Sequence, residues 1–156
     1  MAAADIFDLP DTFAHNGWSV RYLTRHINND SSSAPANPWV VFMHSTPWSS
    51  DVFQPIANAL SAGSDFNFVL YNLARYGQSQ TFSVSQAKSE LDTSIKAQAK
   101  VLTALLQHLH LNSKDRNISP HIIIHNIARV ILMKAHLLHR CEYRSLYLLD
   151  INCVLP

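Results

Sequence analysis

The stretch His121-Ile-Ile-Ile-His-Asn126-Ile-Ala-Arg129 constrains this chain more than any other. Its central isoleucines form a short, β-branched apolar run, which suits a strand buried on both faces. A helical pattern over 127–140 follows with no loop between. A polar residue, Asn126, therefore sits at the bend. A strand feeding straight into a helix points to an α/β architecture. The bend also raises a chemical question. A nucleophile needs a lone pair activated by charge or by a base, and an amide has no anionic form at physiological pH.

The rest of the chain repeats the alternation. Asn16-Gly17 suits a type I′ turn between a short stretch near Thr12–His15 and Trp18–Ile27, so the chain opens with a hairpin. A polar loop over 28–38 leads to Trp39–Met43, a continuous apolar run that reads as a buried strand. Ser49, Ser50 and Asp51 offer capping oxygens for a helix whose Val52, Phe53, Ile56 and Leu60 share a face. Asn67–Leu73 predicts the next strand. Ser83 and Gln86 have capping-box spacing for a long helix, with Leu91, Ile95, Leu102, Leu105, Leu106 and Leu109 at helical intervals. Such a stripe packs on a sheet. After a loop at Asn112–Pro120 come strand 121–125, helix 127–140 and strand 145–150. Alternating strands and helices imply an α/β fold, a mostly parallel sheet with flanking helices. Residues 1–156 form one domain.

Composition narrows the function. With 156 residues, 47% apolar and 15% charged, the chain can bury a real core. A net charge of +1, with lysine and arginine dispersed, implies no nucleic-acid partner. The longest apolar candidate, 121–139, is interrupted by histidines, Asn126, Arg129 and Lys134, so no membrane span is expected. The N-terminus carries acids where a secretory leader needs bases, and it lacks an apolar core. Cys141 and Cys153 are too few for a disulfide framework. The expectation is a cytoplasmic protein with free thiols.

Three polar segments fall just after strands: 44–50, 72–79 and 125–127. In open parallel sheets, ligands bind outside the carboxyl ends of the strands. With those residues in view, the chain resembles the α/β-hydrolase superfamily, in particular its epoxide hydrolase and haloalkane dehalogenase-like branch. HSTPWSS at 44–50 is similar to that branch's HGTPWSS loop, and NLARYGQS at 72–79 to its DLxGYGQS turn. PHIIIHNIAR at 120–129 is similar to PxIVGHDxGG, the nucleophile elbow. The likeness runs from about Trp18 to the end, in the correct order.

The resemblance implies the N-terminal half of an α/β-hydrolase fold, truncated before the cap domain. It puts Asn126 in the place of the nucleophilic aspartate, and Asp150 near the acid that orients the catalytic histidine in some members. The backbone N–H groups of Thr46 and Ile127 match the oxyanion-hole donors. His44, Trp48 and His125 match substrate-facing positions. The parent enzymes hydrolyse small, largely apolar molecules such as epoxides, halides or esters. They do so through a covalent ester on the aspartate, which water activated by the histidine releases. That histidine belongs near the end of a full-length domain, whereas this chain stops at Pro156.

The departures are specific. Ser45 replaces a glycine beside an oxyanion donor, and Asn72 replaces an aspartate. Ile124 and Arg129 stand where the family has small residues, and such crowding argues against a sharp elbow. The expectation is a family member that has lost catalysis and uses no cofactor. Two alternatives stay open: an active hydrolase with relocated or partner-supplied groups, and a non-catalytic module that binds a small apolar molecule. His121 with His125, and His136 with His139 and Cys141, invite a metal. Zinc needs three or four converging ligands with supporting contacts, so no metal site is expected. The last strand leaves Leu146, Tyr147, Leu148 and Leu149 at an exposed edge, which predicts self-association.

Overall fold

The computed structural model describes residues 8–26, 37–63, 65–79 and 91–149. Its elements are β1 (Asp11–His15), β2 (Trp18–Arg25), β3 (Trp39–Met43), α1 (Gln54–Gly63), β4 (Asn67–Tyr71), α2 (Ile95–His108), β5 (His121–His125), α3 (Ala128–His139) and β6 (Ser145–Leu149). They form one sheet in the order β1-β2-β4-β3-β5-β6. β1 and β2 join it antiparallel, and β4, β3, β5 and β6 run parallel. The opening hairpin turns at Asn16 and Gly17, both at positive φ (48° and 83°), as a type I′ turn requires.

Handedness places the helices. The chain leaves β3 for β4 on one side and then crosses from β4 to β5 on the other. Right-handed crossovers in opposite directions put α1 and α2 on opposite faces. The core divides accordingly. Val40, Phe42, Phe68 and Leu70 pack with Phe53 and Ala57 around α1. Val41, Met43, Val69, Ile122 and Ile124 pack with Leu102, Leu105, Leu106, Ile131 and Leu132 of α2 and α3. Neighbouring strand residues alternate between the two clusters because side chains alternate across a strand.

Several element ends differ from the sequence pattern, each for a local reason. Ser49 does cap, its hydroxyl accepting from the Asp51 N–H (3.3 Å), but the first turn, Ser50–Phe53, is 3-10. Pro55 has no N–H to give an α-helical bond to Asp51, so the α-helix begins only at Gln54. The Asn72 N–H still bonds the Arg21 carbonyl in register (3.0 Å), but β4 stops at Tyr71 because the Arg21 N–H goes to the Ser79 hydroxyl (2.8 Å) and the Leu73 N–H to a histidine (2.9 Å). α2 starts at Ile95 behind Ser94, whose hydroxyl accepts from Ala97 (3.2 Å). Leu91 precedes it, and Leu109 is its C-terminal cap. Ser83, Gln86, Asp150 and Cys153 lie outside the described residues. The buried part of the leucine stripe packs on the sheet, as expected. Among the described residues no helix is long and apolar enough to cross a membrane.

Candidate functional site

β3 lies between β4 and β5, so the connections after β3 leave to opposite sides and open a crevice at its carboxyl end. The loop after β3, the turn after β4 and the bend after β5 all border it. Met43 and Ile124 are register partners, and Thr46 and Ile127 each follow three residues later. Parallel pairing thus brings Thr46 and Ile127, the two positions expected to donate to an oxyanion, to the same end of neighbouring strands. Among the described residues, the N–H groups of Thr46 and Ile127 make no hydrogen bond.

His44 is fully buried. The Leu73 N–H donates to its Nε2 (2.9 Å), so Nδ1 carries the proton and donates to the Ser45 carbonyl (2.8 Å). Both ring nitrogens are therefore committed to holding the ends of β3 and β4 together. Burial pulls its pKa down to about 4, against smaller upward pulls from the Ser45 bond and Asp51. The ring is neutral at physiological pH, and its lone pair already has a donor.

Asn72, also buried, accepts from the Ser50 N–H through Oδ1 (2.7 Å). An amide oxygen makes that bond as an aspartate would, without burying a charge. The turn behind it is closed by Ser79, whose hydroxyl donates to the Asn72 carbonyl (2.9 Å) and accepts from the Arg21 N–H (2.8 Å). Gly77, at φ +49°, passes so close that a Cβ would sit 2.3 Å from Asn72 Nδ2. Sequence reading missed Gln98, which grips Ala74 twice. Its Oε1 accepts from the N–H (3.1 Å), and its Nε2 donates to the carbonyl (2.8 Å). A polar residue on the inward stripe of α2 was the available signal.

The bend at Asn126 forms despite its crowded neighbours, contrary to the expectation from Ile124 and Arg129. Asn126 adopts φ +50° and is half-buried, and α3 begins two residues later. The Ile124 side chain points away from the bend into the core under α3, beside Ala128. Arg129 remains partly solvated. Asparagine is among the few side chains that tolerate positive φ, so the residue suits the backbone even though it lacks the chemistry. Its N–H donates to the Leu149 carbonyl (3.1 Å), tying the bend to β6. Trp48, 55% exposed, meets the His125 ring edge-on at 5.9 Å and links the β3 loop to the bend.

Among the described residues, no carboxylate stands at the bend itself. Asp51 is exposed and accepts from the Ser49 hydroxyl (2.8 Å). Among the described residues, no three histidine, cysteine or acidic side chains converge as metal ligands would. His121 and Ser145 hydrogen-bond across strands (2.6 Å), and His136 donates to the Cys141 carbonyl (2.8 Å). The Cys141 thiol is fully buried, which pushes its pKa up to about 12.

No family model matches the sequence, and neither does any of the curated proteins. Solved structures do match. An α/β-hydrolase fold protein from Burkholderia ambifaria superposes with a TM-score of 0.72 at 24% identity, over 97% of this chain and 47% of that one. A Pseudomonas aeruginosa protein assigned to the epoxide hydrolases gives 0.67 at 19% identity, over 93% of this chain and 41% of that one. A loop variant of the haloalkane dehalogenase from Bradyrhizobium elkanii gives 0.62 at 20%, over 88% and 38%. This chain therefore has the α/β-hydrolase fold. It spans less than half the length of each of these structures.

Proposed function

We propose that the chain is a catalytically silent α/β-hydrolase-fold protein, related to hydrolases of small apolar molecules. In this reading it recognises such a molecule at the carboxyl ends of β3 and β5 without turning it over. The observation that carries this reading is Asn126 at the tip of the strand–helix bend. From that position an aspartate would attack with an anionic oxygen. An amide would have to attack as a neutral group and carry positive charge afterwards. His44 supports the same reading, because its imidazole is neutral and its two nitrogens are already bonded. Trp48, exposed beside His125, supplies an apolar wall for a ligand.

Two assays on the purified chain test this. Across epoxides, haloalkanes and esters, product is expected to stay at the level of a buffer blank. Across the same compounds, at least one saturable thermal shift is expected, weakened by Trp48→Ala. Turnover that disappears in Asn126→Ala would establish an active hydrolase instead. Absence of any saturable shift would remove the recognition half of the reading.

A further inference from the structure

A second concavity lies on the flank of the fold, away from the crevice. The tip of the opening hairpin, α2 and the last turn of α3 enclose about 350 Å³, lined by His15, Asn16, Lys100, Thr103, Gln107 and His139. That volume falls within the range of small-molecule sites, roughly 300–1,000 Å³. A smaller cavity of about 190 Å³ shares Asn16 and Lys100 with it and is bordered by Trp18, Ala97 and Val101. None of the residues at 44–50, 72–79 or 125–127 lines either space.

Two histidines of the larger cavity are left incomplete by the fold. The Nε2 atoms of His15 and His139 are buried, and among the described residues neither has a hydrogen-bond partner. A buried polar atom without a partner is costly, so two around one cavity point to a ligand that serves both. Both side chains are only half-buried. The Cβ–Cγ torsion of histidine is soft, so a small turn of each ring presents its nitrogen to the cavity.

Lys100 sets the sign of that ligand. It is exposed and, among the described residues, makes no ion pair. Burial, and after it the Lys100 ammonium, holds the His15 imidazole below its ordinary pKa. A metal ion is disfavoured beside that ammonium, and among the described residues no third ligand converges. An anion is favoured, and each neutral imidazole can offer it an Nε2–H. Thr103 adds no donor, because its hydroxyl already donates to the Ala99 carbonyl (2.9 Å), whereas the exposed Gln107 amide can. The donors come from β1, α2 and α3, and such spread suits a tetrahedral phosphate better than a planar carboxylate. The negative end of α3 opposes an anion at His139, but its Ala135 and His136 carbonyls already accept from the Cys141 and Arg140 N–H groups (both 3.1 Å). Asp92 borders only the smaller cavity, where Lys96 offsets it, and accepts from the Ser94 N–H (2.8 Å).

We propose that this cavity binds the phosphate group of a small phosphorylated molecule, held by Lys100, His15 and His139, with its organic part in the smaller cavity. The site is separate from the Asn126 bend, and the inference stands whether or not that bend binds a ligand.

Histidine ring NMR on the full chain tests it, with phenyl phosphate and inorganic phosphate as probes and sodium chloride at matched ionic strength as the control. The His15 and His139 ring signals should shift saturably with phenyl phosphate, while those of the exposed His110 stay still. Phenyl phosphate is expected to bind about tenfold more tightly than inorganic phosphate, because only the ester reaches the smaller cavity. Equal affinities would name free phosphate as the ligand and overturn the placement of an organic part. Lys100→Met should weaken binding about tenfold or more, and Lys114→Met, in the loop after α2, should leave it unchanged. If Lys100→Met fails to fold, the ring shifts of the unaltered chain decide. No saturable shift with either probe, shifts reproduced by chloride, or binding indifferent to Lys100→Met overturns the proposal.

Discussion

The turn after β4 and the bend after β5 border the same crevice, yet they are held in opposite ways. The base of the turn, at Asn72, Leu73, Ala74 and Ser79, is buried and closed by hydrogen bonds with His44, Ser50, Arg21 and Gln98. The bend is half-exposed, is tied to β6 through the Asn126 N–H, and carries no side-chain cap on its helix. The family resemblance covers both segments equally. Their physics does not. The turn's groups serve folding, whereas the bend is free to vary so long as its residue tolerates positive φ.

If that contrast is right, the turn should break first. Gly77→Ala is expected to have the largest effect, because the new methyl would overlap the Asn72 amide at a φ that alanine resists. A loss of about 4 kcal/mol or more is expected from such overlap combined with backbone strain. Denaturant midpoints measure it. A loss under about 1 kcal/mol would mean that the turn relaxes easily, and the contrast would fail.

His44 gives the next effect, and it depends on pH. Its folded pKa, about 4, lies below the unfolded value of 6.5, so the unfolded chain binds more protons between those values. Its contribution is therefore complete above about pH 6.5 and is lost as pH falls toward 4. A shift of that size corresponds to roughly 3 kcal/mol. His15 and His121 are lowered by burial too, so they tilt stability in the same direction. The His44 share is isolated by comparison with His44→Gln, whose stability should fall much less over that window. Parallel curves for the two proteins would assign the acid sensitivity elsewhere.

Gln98→Leu should cost about 2 kcal/mol, since it leaves the buried N–H and carbonyl of Ala74 without partners. A change within about 0.5 kcal/mol would show that water replaces the clamp. The variant also measures how much of the turn's rigidity comes from α2 on the opposite side of the chain.

The sequence made strands and helices legible wherever apolar period and turn chemistry agreed, as at Asn16-Gly17 and in the isoleucines of β5. Asn126 at the bend was legible for the same reason, because a continuous strand met a continuous helix there. The misses involve partners distant in sequence. Nothing near Leu73 announces that His44 takes its N–H and ends β4 early, and nothing near Ala74 points to Gln98. Crowding at the elbow was misjudged because residue size was weighed without direction. Ile124 is large, but its Cβ faces the core rather than the turn.

The smallest effect on stability is expected at Asn126. Alanine at φ +50° should cost about 1 kcal/mol, and glycine should cost nothing or stabilise slightly. Aspartate tolerates the same backbone, so Asn126→Asp should change stability by no more than a few tenths of a kcal/mol. Its chemical consequence is larger. The carboxylate of Asn126→Asp could open an epoxide, giving a hydroxy-ester whose ring-derived alkoxide takes a proton from water, or displace a halide, giving an ester and a free halide ion. Hydrolysis of that ester needs a base, and His44 cannot serve with both nitrogens bonded. The expected result is one equivalent of adduct per chain by intact-mass measurement, with no turnover and no adduct on the unaltered protein. Multiple turnover would mean that a base is already present, and Asn126 would then be the only lesion. No adduct would mean that the bend does not hold a carboxylate where a bound ligand can reach it, and the resemblance would stop at the fold.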